Sequence, residues 1–211
     1  MRVIAIDGPA GAGKSTVART LADRLGLEYL DTGAMYRAVT FAALQRHIAL
    51  DDTDAVAMLA RSLEMDVGEQ GVFVEGVEAT DAIRTSEVTA AVSKVAANSG
   101  VRAELRARQQ QWAAERGGGV IEGRDIGSVV FPDAELKLYL TASPRIRAER
   151  RVAEAGGDVD AIELAIAARD HYDSTRVDSP LTEAAGSKLV DTTGLTVDGV
   201  LDHILRLLEH A

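Results

Sequence analysis

Apolar and polar positions along the chain follow two alternating rhythms. Short runs of β-branched and apolar residues predict strands at 2–7, 28–30, 119–122, 136–140 and 187–190. Between them, apolar residues recur at helical spacing and predict helices at 14–26, 33–46, 53–64, 85–96, 100–116, 144–155, 159–176 and 196–210. The last helix places Val197, Val200, Leu201, Ile204, Leu205 and Leu208 on one face. Strands alternating with helices predict an α/β fold, a parallel sheet covered by helices.

Residues 65–79 break this rhythm. They read as short strands joined by glycine turns, which a parallel sheet has no place for. An inserted subdomain over 31–98 accounts for them, and an edge hairpin on the main sheet is the alternative. The organisation expected is a core of 1–30, 99–145 and 177–211, the insertion at 31–98, and a helical lid at 146–176.

Composition narrows the chemistry. The 211 residues suit one domain with insertions and bury a substantial core. Net charge is -10 and aromatic residues make up 4%, which disfavours a partner that is a nucleic acid polymer or an anionic membrane. The absence of cysteine excludes disulfides and a thiol nucleophile. The four histidines (His47, His171, His203, His210) lack metal-ligand spacing. The chain enters its first strand at once, shows no signal peptide and has no run of membrane-span length, so the expected location is the cytosol. No surplus apolar face stands out, and the expected state is a monomer.

The strongest motif is G-x-x-x-x-G-K-[ST] at residues 8–15. It lies between a buried strand and a helix N-terminus. There, backbone N–H groups can close around phosphate and the helix dipole favours an anion. The expected ATP-binding residues are Gly8, Pro9, Ala10, Gly11, Ala12, Gly13, Lys14, Ser15 and Thr16. Lys14 would reach the β- and γ-phosphates, and Ser15 would be the protein ligand of Mg²⁺. A glycine-rich turn with an incidental lysine is the competing explanation, and the strand–loop–helix register argues against it.

The remaining chemistry is carried by separated arginines. Asp31, Thr32 and Arg37 follow the second strand, at the carboxyl edge where ligands bind. Helix capping by Asp31 and Thr32 is compatible with that role. Gly123-Arg124-Asp125 ends another strand, offering a phosphate clamp and an acceptor, or alternatively a surface ion pair. Arg145, Arg147, Arg150 and Arg151 sit on one helix, and Gly156-Gly157 breaks it. Asp158 can cap a second helix carrying Arg169, Asp173 and Arg176. This basic hairpin reads as a lid that excludes water from phosphoryl transfer, against the plainer reading of a solvated charged face. No Asn-Lys-x-Asp sequence and no strand ending in Asp-Glu is present, which argues against a GTPase and a motor ATPase.

These stretches resemble the bacterial-type cytidylate kinases, within the nucleoside monophosphate kinases. The resemblance covers essentially the whole chain. It rests on residues 6–16 (IDGPAGAGKST), 30–37 (LDTGAMYR), 93–97 (SKVAA), 123–134 (GRDIGSVVFPDA) and Arg169-Asp170. It implies a P-loop core with a five-stranded parallel sheet and helices on both faces. It also implies an inserted monophosphate-binding subdomain with a small antiparallel sheet. The implied reaction moves the ATP γ-phosphoryl group to CMP or dCMP with Mg²⁺. By position it implies that Thr32, Arg37, Ser93, Arg102, Arg124, Asp125, Arg169, Asp173 and Arg176 line the CMP site. Ser93, Arg102 and Asp125 would meet the cytosine edge. Arg37, Arg124 and Arg169 would hold the phosphate. Asp173 and Arg176 would meet the ribose. Lys14, with Arg147 and Arg151 of the lid, would act on the transferred group. The tract between Arg151 and Arg169 is shorter than the lid of some relatives. Another small-molecule P-loop kinase, or a nucleotide binder without a second substrate, is the alternative that an acceptor assay separates.

Overall fold

A computed structural model describes residues 1–68 and 70–209. The chain divides into two compact units, residues 1–29 with 116–211, and residues 30–115.

The first unit is built on a five-stranded sheet of order β2-β6-β1-β7-β8. Its strands are β1 (Arg2–Asp7), β2 (Tyr29–Asp31), β6 (Gly118–Glu122), β7 (Leu136–Thr141) and β8 (Lys188–Asp191). β1 lies at the centre and pairs in parallel with β6 and β7, and β7 pairs in parallel with β8. Covered on both faces, β1 is buried from Val3 to Asp7, as its continuous apolar run requires. Helices α1 (Lys14–Leu25) and α8 (Val197–Leu208) share one core with the sheet. Ile4, Ile6, Val17, Leu21, Leu138, Leu140, Leu201 and Ile204 are all buried in that core. Val197, expected on the buried face of α8, is instead exposed in its first turn, where Thr196 caps the helix through the Gly199 amide. Helices α6 (Pro144–Ala155) and α7 (Val159–Thr175) form the expected hairpin. Gly156 ends α6, and the Asp158 carboxylate starts α7 by accepting from the Ala161 amide at 2.9 Å.

The second unit holds α2 (Thr32–Gln45), α3 (Thr53–Ser62), α4 (Ser86–Ala96) and most of α5 (Ser99–Arg116). It also holds a separate antiparallel sheet of β3 (Met65–Gly68), β4 (Gly71–Val74) and β5 (Val77–Glu78). β3, β4 and β5 are therefore a meander of their own, not an edge hairpin on the main sheet, and residue 69 between β3 and β4 lies outside the described residues. Arg108 of α5 donates to the carbonyls of Ala60, Arg61 and Leu63, satisfying orphan acceptors at the end of α3.

Two short elements were not legible in the apolar pattern. A 3₁₀ turn spans Ala82–Arg84, and one turn of π-helix spans Ile126–Val130. Both are too short to express a period.

Candidate nucleotide-binding site

The glycine-rich loop follows directly from the carboxyl end of β1. Gly8 has φ 143°, and a Cβ there would lie 1.9 Å from the Leu140 carbonyl oxygen. No other residue fits that position. Gly13 starts α1 in the left-handed region at φ 83°. The first amides of α1, as at any helix N-terminus, have no intrahelical acceptors, and Gly13 caps them with no side chain. Ser15 is exposed in that first turn.

Lys14 is buried, and its ammonium donates to the Pro9 carbonyl at 2.9 Å. Burial, with the guanidinium groups of Arg124 and Arg169 nearby, pulls its pKa down to about 7 against the opposing pull of Glu122 and Asp7. A desolvated cation beside two guanidinium groups is stabilised by any further anion that arrives. Arg169 shows the same strain: burial and Arg124 lower its pKa to about 10, against the opposing pull of Asp173 and Asp170. Among the described residues, its Nε is buried without a hydrogen-bond acceptor. Phosphate oxygens satisfy both demands, so these residues fit a polyphosphate. For a divalent cation the donor set is thinner. No group of three or more acidic or histidine side chains stands together among the described residues, so the ion would rest on Ser15 and on phosphate oxygens.

The loop after β6 supplies the next group. Arg124 Nε pairs with Asp173 Oδ2 at 3.1 Å, and Arg176 reaches Asp125 Oδ1 at 3.8 Å. Four residues predicted from sequence, far apart along the chain, are thus drawn together within the first unit. Asp125 and Asp173 are both buried.

The arginines of α6 separate. Arg147 is buried and donates to the carbonyls of Ala142 at 3.0 Å and Ala10 at 3.1 Å, and it pairs with Asp170. Asp170 also accepts from the Ala10 amide at 3.3 Å. Arg147 is therefore bound to the glycine-rich loop itself. Arg151 is half-exposed and pairs with Glu154. Arg150 spans Thr192, donating to its hydroxyl at 2.9 Å and its carbonyl at 2.7 Å. The Thr192 hydroxyl in turn donates to the Ala12 carbonyl at 3.2 Å.

In the second unit, Asp31 caps α2 by accepting from the Ala34 amide at 3.0 Å and pairs with Arg84 at 3.2 Å. Arg37 is buried and donates to the Ile83 carbonyl at 3.1 Å and the Thr89 hydroxyl at 2.9 Å. Ser93 lies one turn beyond Thr89 on α4, hence on the same face. Arg102, buried on α5, donates to the Ala96 carbonyl at 3.0 Å and stacks 5.5 Å from the Tyr36 ring centroid. Thr32 is buried at the start of α2.

Sequence reasoning missed the groups that hold these side chains. Asp7, Asp170, Thr192, Thr89 and Tyr36 all contact a predicted residue or its loop. Asp7, Asp170 and Tyr36 lie inside the stretches that carry the resemblance. For Thr89 and Thr192 no local signal exists.

A parallel sheet with a glycine-rich loop at the end of its central strand defines a P-loop nucleotide-binding fold. Shikimate kinase from Acinetobacter baumannii, solved with shikimate, shares that fold at a TM-score of 0.53. It is 16% identical and the match covers 100% of this chain and 94% of that one. The family model described as cytidylate kinase matches residues 4–210, and the chain belongs to that family. The cytidylate kinase of Ligilactobacillus salivarius (strain UCC118) is 49% identical over 98% of this chain and 96% of its own length. That of Listeria monocytogenes serovar 1/2a is 50% identical over 98% of this chain and 95% of its own. Among the described residues, no helix is long and apolar enough to cross a membrane.

Proposed function

We propose that the protein transfers the γ-phosphoryl group of ATP to CMP or dCMP, giving ADP and CDP or dCDP. The observation that carries this reading is the family match over residues 4–210. Lys14 and Arg169, buried cations whose pKa values burial and neighbouring guanidinium groups lower, support it from the chemistry of the chain itself.

In this reading the residues at 8–16 bind the donor triphosphate, with the ammonium of Lys14 on the β- and γ-phosphates. An oxygen of the CMP phosphate, already anionic, attacks the γ-phosphorus in line as the bond to the ADP oxygen breaks. No covalent enzyme intermediate and no strong base is needed. Catalysis is positioning and charge stabilisation. When bound, Mg²⁺ supplies further charge neutralisation on the phosphoryl oxygens, with the Ser15 hydroxyl as its protein ligand.

Arg37, Arg124 and Arg169 hold the acceptor phosphate, Asp173 and Arg176 take the ribose, and Thr32 lines the site. Ser93, Arg102 and Asp125 read cytosine. Its N4 amino group donates, and N3 and O2 accept, so a carboxylate and a hydroxyl facing the amino group complement an arginine facing the acceptors. Uracil places a carbonyl where cytosine has the amino group, and Asp125 repels it. Residues 146–176 act as a lid over the transferred group, with Arg147 and Arg151 as its charge donors. The Asp170 carboxylate must then release Arg147 as the phosphates arrive.

ADP release from ATP, measured with CMP, dCMP, UMP, AMP or shikimate as acceptor, tests the reading. Strong turnover with CMP and dCMP and weak turnover with UMP is expected. Turnover with shikimate alone makes it a different P-loop kinase. No acceptor-dependent turnover removes the enzyme reading.

A further inference from the structure

Asp7, the last residue of β1, is buried and belongs to no part of the mechanism above. Its two carboxylate oxygens accept from consecutive amides of the loop after β6: Oδ1 from Ile126 at 2.8 Å and Oδ2 from Gly127 at 2.7 Å. One residue earlier, the Ile6 carbonyl accepts from the Gly123 amide at 3.0 Å. Arg124 and Asp125 therefore form a two-residue arch, and both its ends are clamped by neighbouring residues of one central strand.

The clamp explains the turn beyond it. The first amides of the π-helical turn Ile126–Val130 have no acceptor inside the turn. Asp7 supplies that acceptor from across the sheet. The Asp125 carbonyl then receives Val129 and Val130 at 2.9 and 3.2 Å, closing the turn. Against Gly127, a side chain would meet Lys137 Cγ at 3.0 Å, so the turn is also packed from outside. Asp7 costs something to keep there. Burial, opposed by the two amides and Lys14 and aided by Asp125, raises its pKa to about 6.

We propose that Asp7 is a positioning residue for the acceptor, setting the placement of Arg124 and Asp125 relative to the glycine-rich loop and thereby the choice of cytosine over uracil. It does so without touching either nucleotide. The inference rests on the assignment of Arg124 and Asp125 to the acceptor.

The test is Asp7→Asn, which preserves shape but turns one acceptor oxygen into an NH₂ facing an amide N–H. The expected result is a fall of about 10- to 100-fold in kcat/KM for CMP, the range of a lost hydrogen bond to a charged group. The CMP-to-UMP preference narrows with it, while ATP affinity, measured by calorimetry with Mg²⁺, does not fall in parallel, because the loop amides are untouched and removing a carboxylate beside Lys14 does not weaken its hold on phosphate. In an Asp125→Asn background the same change no longer alters the CMP-to-UMP ratio, since residues acting through one another are not additive. Asp7→Ala, which removes both acceptors, is run in parallel and loses at least as much as Asp7→Asn. Unchanged CMP kinetics overturn the proposal. So does equal loss of ATP and CMP affinity, or failure of both variants to fold, which makes Asp7 a general structural residue. If wild-type protein fails to use CMP at all, the functional reading fails instead.

Discussion

Arg124 and Asp173 meet through an ion pair of 3.1 Å, in which the Asp173 side chain is 5% exposed and that of Arg124 18%. The two lie 49 residues apart, on the loop after β6 and near the end of α7. The pair anchors the end of the helical hairpin to the loop that carries Asp125. It also brings negative charge to a place crowded by Lys14, Arg124 and Arg169. Asp173→Asn should therefore lower stability, and a double-mutant cycle with Arg124→Met in urea should give a coupling of about 1–2 kcal/mol. Additivity of the two changes would mean that the pair contributes no net stability.

Lys14→Met should separate stability from function. Turnover should fall by about 10²- to 10³-fold, as when a transition-state charge donor is removed elsewhere. Near-normal turnover would dismiss the mechanism. The ligand-free protein should at the same time gain stability at neutral pH, because a desolvated cation beside two guanidinium groups is gone. The sign follows from linkage. The pKa of Lys14 lies near 7 when folded, against 10.5 for the ordinary side chain. Between those values the unfolded chain binds the extra proton, so the Lys14 contribution to stability rises with pH. The advantage of Lys14→Met should be full below pH 7 and shrink from there towards pH 10. Thermal melts across that range check it.

The same lysine predicts proton uptake on binding. Near pH 8 much of Lys14 is neutral in the ligand-free protein, and triphosphate restores its charge. Calorimetric titration with ATP in buffers of different ionisation enthalpy should show uptake approaching one proton. Lys14→Met should abolish most of it. Identical heats in both buffers for the wild type would mean that Lys14 is already charged.

Gly8→Ala should be among the most damaging single-methyl changes in the chain. The new Cβ would overlap the Leu140 carbonyl, which is backbone and cannot rotate away. A φ of 143° adds strain for any L side chain. A loss of about 2–4 kcal/mol in urea unfolding is expected, in the range of severe backbone and overpacking effects. Retained stability would require β1 and β7 to separate locally.

Most of the fold was legible because its elements are long and strongly patterned. The five core strands and eight helices lie within a few residues of their predicted positions, since burial on both faces of β1 and one face of α1 leaves a direct mark on residue type. Residues 65–79 were legible for the opposite reason: glycine turns at short spacing contradict a parallel sheet. The π-helical turn Ile126–Val130 was not, because its stability comes from a carboxylate 119 residues away in the chain.

The sequence by itself determined the glycine-rich loop, because its residue types are dictated locally: a glycine where a Cβ cannot fit, a lysine one step beyond a left-handed residue. It also determined the family, through stretches such as residues 123–134. Only the tertiary structure decided how the charges are shared. Arg147, Arg150 and Arg151 are near neighbours on one helix, yet one binds the loop carbonyl of Ala10, one binds Thr192 and one faces solvent beside Glu154. Nothing in their spacing distinguishes them. Which arginine finds an acceptor, and which carboxylate is left desolvated, depends on chain segments brought together from far along the sequence, and so on packing.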